Sequence, residues 1–453
     1  MQGQSTPGFA RRKMSPALAR RTASRMTTTV DKPTQPPIRA PRVWTKIGPG
    51  LLVAAAGIGA GDIVSSTMAA SSHGLALLWV VVLAAVLKGF LNEGIARWQL
   101  ATATTAIEGW CRHLPAWVRW YFAAYLVLWT VSVSAALTSA CGLGIATLTG
   151  GAVSRPWGAV SHAIAGGSLV AIGGFAGFAK VTKVLIGTMF FTILGCALLT
   201  LPSGDDALRG FVPSIPAGGA ASVLSVLGGI GGSIAMLAYN YWLREERMAG
   251  PEWLSFVRVD VAVAYLFTMV FGMAIMIVAT QAFHVPGIAI TNAQAVTRMA
   301  DSLGATIGPL GFYAYAVGFW AAVFASLLGV WQSLPYLFAD YYGLLRGLPR
   351  ERRAELTKVT SVPYRLALLF ITIMPIPLAF IDQPLFTVRL FTIVGSLFIP
   401  FLAGTLLYLN NVILPIESGV PRNSRWTNAI LVLAMLVFAA VGASEAGLLR
   451  VSR

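Results

Sequence analysis

The chain has 453 residues, of which 56% are hydrophobic and only 11% charged, against roughly 25% charged in soluble domains. Apolar segments of about 20 residues recur along almost its whole length, each able to cross a hydrocarbon core of roughly 30 Å; a β-barrel would show alternating segments of about ten residues instead. The net charge of +16 would suit nucleic acid, but it sits in a basic N-terminus and in short loops, the positive-inside pattern that sets topology.

Residues 1–44 are rich in Arg, Ser, Thr and Pro and have no apolar core. Ten basic residues and one acid, Asp31, fall within positions 1–46. The segment reads as a basic, disordered cytoplasmic tail; a transit peptide has the same composition. Eleven apolar segments follow, near 48–72, 75–97, 119–148, 157–175, 182–203, 221–243, 259–283, 308–339, 364–381, 387–409 and 426–447. With the N-terminus inside, the cytoplasmic loops hold Arg112, Arg119, Lys180, Lys183, Arg244, Arg247, Arg258, Arg346, Arg350, Arg352, Arg353, Lys358, Arg422 and Arg425. The opposite loops hold only Arg155, Arg209, Arg298 and Arg389. The fold class is an all-α polytopic membrane protein of about eleven spans. Arginine outnumbers lysine 26 to 7, a bias that suits a GC-rich bacterial genome and so a bacterial cytoplasmic membrane.

The first segment carries AAAGIGAGDIVSS, with Gly57, Gly59 and Gly61 directly before Asp62. Glycine weakens a helix by up to about 1 kcal/mol relative to alanine, and a lone charge in hydrocarbon costs about 2.5 kcal/mol or more. Segment two places Lys88 nine residues before Arg97, about 13 Å along a helix and awkward for a side chain reaching to water. Either it snorkels in part, or it faces the bundle and offsets Asp62 when no cation is bound. Glu93 and Arg97 have the spacing of an i,i+4 surface pair. Segment three, YFAAYLVLWTVSVSAALTSACGLG, contains no acid. Segment six carries LGGIGGSIAMLAYNYW, with Gly228, Gly229, Gly231 and Gly232 followed by Met236.

Gly-Ile-Gly thus occurs at 57–59 and again at 229–231, each in the first helix of a five-helix set if the chain divides as five plus five plus one. Glycine-interrupted segments in corresponding positions of two halves point to a transporter's binding site, although small residues also serve close helix packing. Tyr239 and Asn240 follow Met236 and are candidates for a cytoplasmic path. Asp340 reads as a solvated helix end. The cysteines, Cys111 in a loop and Cys141 and Cys196 in apolar segments, form no disulfide framework or metal-ligand spacing. The histidines, 73, 113, 162 and 284, form no ligand pair.

GPGLLVAAAGIGAGDIVSSTMAASSHGLALLW (48–79) resembles the first-helix signature of the Nramp divalent-metal transporters, in which a Gly-Pro start leads to an Asp-Pro-Gly-Asn break. Segment six is similar to that family's Ala-x-x-Met-Pro-His element, with Ser233 on the alanine and Met236 on the methionine. The similarity continues through FADYYG, LFIPFLAGTLLYLNN and PRNSRWTNAI, covering roughly residues 45–445. It implies a LeuT-like fold: inverted repeats of five helices over about 45–205 and 217–410, broken helices one and six, and an extra helix over about 426–447, in a transporter domain of 45–450. The family's aspartate falls on Gly59, its proline on Ala60 and its asparagine on Asp62. The proline and histidine after the methionine become Leu237 and Ala238, and the glutamine of segment ten falls near Phe398.

On these residues the expected substrate is a divalent cation, bound by Asp62, Met236, Ser65 and the backbone near Gly59 and Ser233, with Lys88, Tyr239 and Asn240 on the path or in coupling. A thioether favours Mn²⁺ or Fe²⁺ over Mg²⁺. The metal is cargo, no cofactor is expected, and the partners are that ion and the lipid bilayer, with no nucleic acid, for a monomer. With the family's proton carriers absent, proton coupling is doubtful. An ion-coupled symporter of a small organic solute and a non-transporting receptor or scaffold are the alternatives; no nucleophile–base constellation supports an enzyme.

Overall fold

The computed structural model describes residues 49–202, 204–283, 295–381, 384–418 and 420–445, and among these every regular element is helical. The tail 1–44, residues 446–450 of the expected domain and His284 lie outside them.

The first apolar segment forms two helices, α1 (Gly50–Gly57) and α2 (Ala60–His73), which meet at 54°. The chain then runs through α3 (Leu78–Thr102), a short amphipathic α4 (Ala106–His113) and α5 (Trp117–Leu148). Helix α6 (Arg155–Leu199) is 45 residues long, but Gly174 inside it has φ 55° and ψ −157°, so it holds segments four and five joined at a kink. After α7 (Gly204–Arg209), segment six breaks in its turn into α8 (Ala220–Gly229), a 3-10 turn Ile234–Ala238 and α9 (Tyr239–Glu245). A second 3-10 turn, Pro251–Trp253, leads into α10 (Leu254–Phe283), followed by α11 (Ala295–Ile307), α12 (Pro309–Leu345) and α13 (Arg350–Leu356). The last part comprises α14 (Val362–Ile373), α15 (Pro375–Ala379), α16 (Pro384–Tyr408), a π-helical turn Leu409–Ile413, α17 (Leu414–Ser418) and α18 (Arg425–Glu445).

Among the described residues, eight helical stretches are long and apolar enough to span a bilayer alone, and the bent pair α1–α2 makes a ninth. Dividing α6 at Gly174 and adding α18 gives the expected eleven. The chain is a multi-pass membrane protein.

Helices α1, α2 and α10 pack in the middle of the bundle, with α12 lying along α5 and α6. Large side chains such as Trp129, Trp242 and Trp331 are fully buried there, whereas Ile172, Phe191 and Leu198 face outward on the lipid side. Polar residues inside α5 look after themselves: Thr130, Ser132, Ser134 and Thr138 each donate to the carbonyl four residues back. That bond satisfies a hydroxyl within its own helix.

Three readings change. Glu93 pairs with Arg258 at 2.9 Å, while Arg97 donates to the carbonyls of Pro421 and Arg422 at 2.6 and 3.2 Å, so the i,i+4 surface pair gives way to partners on α10 and before α18. Asp340 is buried rather than solvated, because α13 and α9 fold over it and supply Arg353 and Tyr241. Cys111 lies in α4 rather than in a loop.

Candidate ion site at two broken helices

The breaks in segments one and six touch through their glycines. A Cβ on Gly57 would lie 3.1 Å from the carbonyl carbon of Gly231, and one on Gly61 would lie 3.2 Å from the Gly229 oxygen. At Gly59 the obstacle comes from α12: a Cβ would stand 2.5 Å from both Cβ and Oγ of Ser326. Gly231 and Gly232 have φ of 77° and 70°, the left-handed region that other residues enter at a cost. These constraints stop both helices short and bring two frayed ends together.

Asp62 lies where those ends meet and is fully buried. Its Oδ2 accepts from the N–H of Gly59 at 3.1 Å, capping the first turn of α2, and its Oδ1 accepts from the N–H of Gly231 at 3.1 Å. A carboxylate at a helix N-terminus also meets the positive end of the helix dipole. One side chain thereby ties the break of segment one to that of segment six.

Lys88 reaches the same place from α3. It is fully buried, and its ammonium donates to the carbonyls of Gly228, at 3.0 Å, and Ile230. These oxygens belong to the last turn of α8 and the extended residue after it, at the negative end of that helix. The Ile230 carbonyl and the Gly231 N–H are two ends of one trans peptide. An ammonium therefore holds one end of that peptide and a carboxylate the other.

Further hydroxyls surround this pair. Ser65 donates to the Asp62 carbonyl at 3.4 Å, and Ser326 donates to the Ala56 carbonyl near the end of α1 at 3.0 Å. A small cavity of about 10 Å³, room for roughly one water, opens between the breaks, with Gly57, Gly59, Gly232, Ala235, Ser326 and Trp129 among its lining residues. Ala235 faces this cavity, whereas Asp62 and Met236 are not part of its wall.

Met236 is buried in the 3-10 turn, with its N–H bonded to the Ser233 carbonyl at 3.1 Å. The Ser233 hydroxyl and the Trp129 indole N–H are buried without hydrogen-bond partners, and both lie close to Gly395 of α16. Asn240 is buried with neither amide atom bonded. Tyr239 donates to Asp260 Oδ2 at 2.7 Å. The structure thus gathers Asp62, Gly59, Ser65 and Lys88 into one network, and sets Met236, Ser233 and Asn240 along the following turn.

Sequence reasoning passed over Asp260, Ser326 and a buried triad. Asp260 Oδ2 also accepts from the N–H of Gly50 at 2.7 Å, fastening the start of α1. Arg353 bonds Asp340 at 2.9 Å and Glu108 at 2.7 Å, joining α13, α12 and α4, and Tyr241 of α9 donates to Asp340 at 2.9 Å. Trp242 bonds Gln332 at 2.6 Å and Tyr336 bonds Glu245 at 2.5 Å. The signal for Asp260 was available, since a carboxylate near the start of an apolar segment is costly unless bonded. Ser326 gave none.

Among the described residues no cluster of three or more His, Cys, Asp or Glu stands ready to hold a metal. A cation beside Asp62 would have to rely on that carboxylate and on neutral donors such as backbone carbonyls and hydroxyls.

The family model described as "Natural resistance-associated macrophage protein-like", Nramp, matches residues 50–444. The chain is 25% identical over 301 residues to the divalent metal cation transporter MntH of Mycobacterium leprae, spanning 62% of this chain and 67% of that one. A crystal structure of the Eremococcus coleocola manganese transporter, in complex with an aromatic bis-isothiourea substituted compound, superposes with a TM-score of 0.65 at 16% identity, over 88% of this chain and 85% of the other. MhsT in complex with L-phenylalanine superposes with a TM-score of 0.56, also at 16% identity, over 87% and 98%. The two structural likenesses establish the fold that these proteins share.

Proposed function

The chain belongs to the Nramp family, and on that premise we propose that it carries divalent metal cations, Mn²⁺ or Fe²⁺ in preference to Mg²⁺, across the cytoplasmic membrane by alternating access. It is a transporter and not an enzyme. The observation that carries the metal reading is the fully buried Asp62 carboxylate at the junction of two broken helices. A charge at that depth is costly unless it has a task.

In this reading Asp62 supplies charge to the ion, the carbonyls near Gly59 and Ser233 and the Ser65 hydroxyl supply neutral oxygens, and Met236 favours softer ions. The Ala56 carbonyl, now held by Ser326, is a further oxygen within the break. The bonds from Asp260 to Gly50 and Tyr239, and from Asp340 to Tyr241 and Arg353, hold the start of α1 and the length of α9 against α10 and α12. With the N-terminus cytoplasmic, these bonds keep the inner mouth shut until α1 and α9 swing outward. Tyr239 and Asn240 then line the exit. The two halves, about 45–205 and 217–410, act as inverted repeats, and each chain works as a monomer.

The test is uptake into proteoliposomes with a panel of Mn²⁺, Fe²⁺, Co²⁺, Mg²⁺ and Ca²⁺. Asp62→Ala abolishes uptake of every ion, and Met236→Ala narrows the preference for Mn²⁺ and Fe²⁺ over the hard ions. Full uptake by Asp62→Ala would remove this carboxylate from the site. A second reading, an ion-coupled carrier of a small organic solute, draws on the largely apolar cavity wall and on the partnerless Ser233 hydroxyl and Trp129 indole. An amino-acid panel in the same liposomes separates the two. Transport of neither class would point to a receptor or scaffold.

A further inference from the structure

Lys88 carries chemistry that the transport reading does not need. Its ammonium is the only part of the side chain that requires a polar partner, and burying it costs several kcal/mol unless it is well bonded. A methionine would fill the same path at less cost. The stem of Lys88 runs beside Gly231, where a Cβ would lie 3.5 Å from Lys88 Cδ, and the charge ends on two carbonyl oxygens that helix α8 leaves free. The Phe438 ring lies 5.7 Å from Nζ, a cation–π distance. The opposing charge, Asp62, binds the far end of the Ile230–Gly231 peptide. Carbonyl oxygens at a helix C-terminus, an aromatic face and a nearby carboxylate make up a site for a small monovalent cation.

We propose that the C-terminal end of α8 is such a small-cation site and that its resident is the Lys88 ammonium, a tethered ion distinct from the transported one. The carbonyls of Gly228 and Ile230 are its ligands, and Asp62 balances its charge through the intervening peptide. The tether makes the junction of the two breaks independent of sodium, potassium or ammonium in solution. Removing the ammonium opens the site to them.

The test uses purified full-length protein and no transport substrate, so its failure is distinct from failure of the metal reading. Thermal unfolding is recorded in choline chloride and in sodium, potassium, ammonium and ethylammonium chlorides at equal ionic strength. Wild-type protein unfolds at the same temperature in all five. Lys88→Ala unfolds several degrees lower in choline and recovers in at least one small cation, with a saturable concentration dependence, as binding to the folded state requires. The recovery is lost in Lys88→Ala combined with Asp62→Asn, which a simple packing defect would not predict. The proposal is overturned if Lys88→Ala gains nothing from any small cation, if wild-type protein gains as much, or if recovery persists without the Asp62 charge. Failure of Lys88→Ala to fold when expressed and purified in each of those cations overturns it equally.

Discussion

One peptide group, Ile230–Gly231, carries a cation at its oxygen and an anion at its nitrogen, so at the scale of single residues the site is already satisfied by its own side chains. An incoming ion meets an Asp62 carboxylate that already holds two backbone N–H groups. Gly59 shows how tightly the arrangement is set. The family's aspartate has no room there, because Ser326 occupies the place of its Cβ. Gly59→Ala is expected to destabilise the protein by about 1–3 kcal/mol, the range for overpacking a filled interior, and Ser326→Gly in the same chain should restore much of that loss. Thermal unfolding of the two single variants and the double variant measures the coupling; strictly additive effects would show that the two residues do not compete for space. Asp62 was legible in the sequence as a charge beside glycines in an apolar run. Ser326 was not, since a serine inside a membrane helix can bond within its own helix, and nothing in the sequence marks this one as donating to Ala56 instead. The contact of Ser326 with Gly59 comes from α12, more than 260 positions away, and no local pattern announces it.

At the scale of elements, the breaks were legible because glycine clusters interrupt otherwise uniform apolar runs, and the same property hid the join within α6. Gly174 lies among other glycines at 166, 167, 173 and 177, so the boundary between segments four and five has no sharp mark. The triad of α4, α12 and α13 was illegible for another reason. Arg353 belongs to a run of basic residues that sets topology whether or not one of them turns inward, yet it is buried between Glu108 and Asp340. Arg353→Ala leaves the buried Asp340 carboxylate without its cation and Glu108 with Arg112 alone, a loss expected to cost about 3–5 kcal/mol. It should also free α4, and Cys111 reports on that helix. Burial pushes the Cys111 thiol up to about 11, so at pH 7.5 it is almost entirely protonated, with the reactive thiolate rising tenfold per pH unit until that value. Exposure would return it towards the ordinary value of about 8.5 and raise the thiolate fraction at pH 7.5 by roughly three-hundredfold, with a large rise in maleimide labelling. Unchanged labelling of Cys111 in a stable Arg353→Ala protein would show that the triad does not hold α4 in place.

For the molecule as a whole, the question is what drives a metal through. Proton coupling in a membrane carrier needs titratable groups arranged in series beside the substrate site. Helix α5 has no carboxylate or histidine, and its hydroxyls at 130, 132, 134 and 138 donate into their own helix. Ala238 and Phe398 are apolar and buried. Other buried charges lie at one end of the path and at its centre, with Asp260 and Asp340 fastening α1 and α9 at the end and Asp62 with Lys88 closing the centre. Asp62 could accept a proton or a metal, but a metal binds the ionised form, so the two compete for one group and cannot travel together on it. Lys88, by contrast, stays on the chain and resets without exchanging with the bulk solution. The expected outcome is metal flux down its own gradient, with no net uphill uptake when an inward proton gradient is imposed. Measuring metal uptake and internal acidification together in proteoliposomes decides this. A fixed ratio of protons to metal, retained in Lys88→Ala, would mean that protons cross by a route other than the residues at these two breaks.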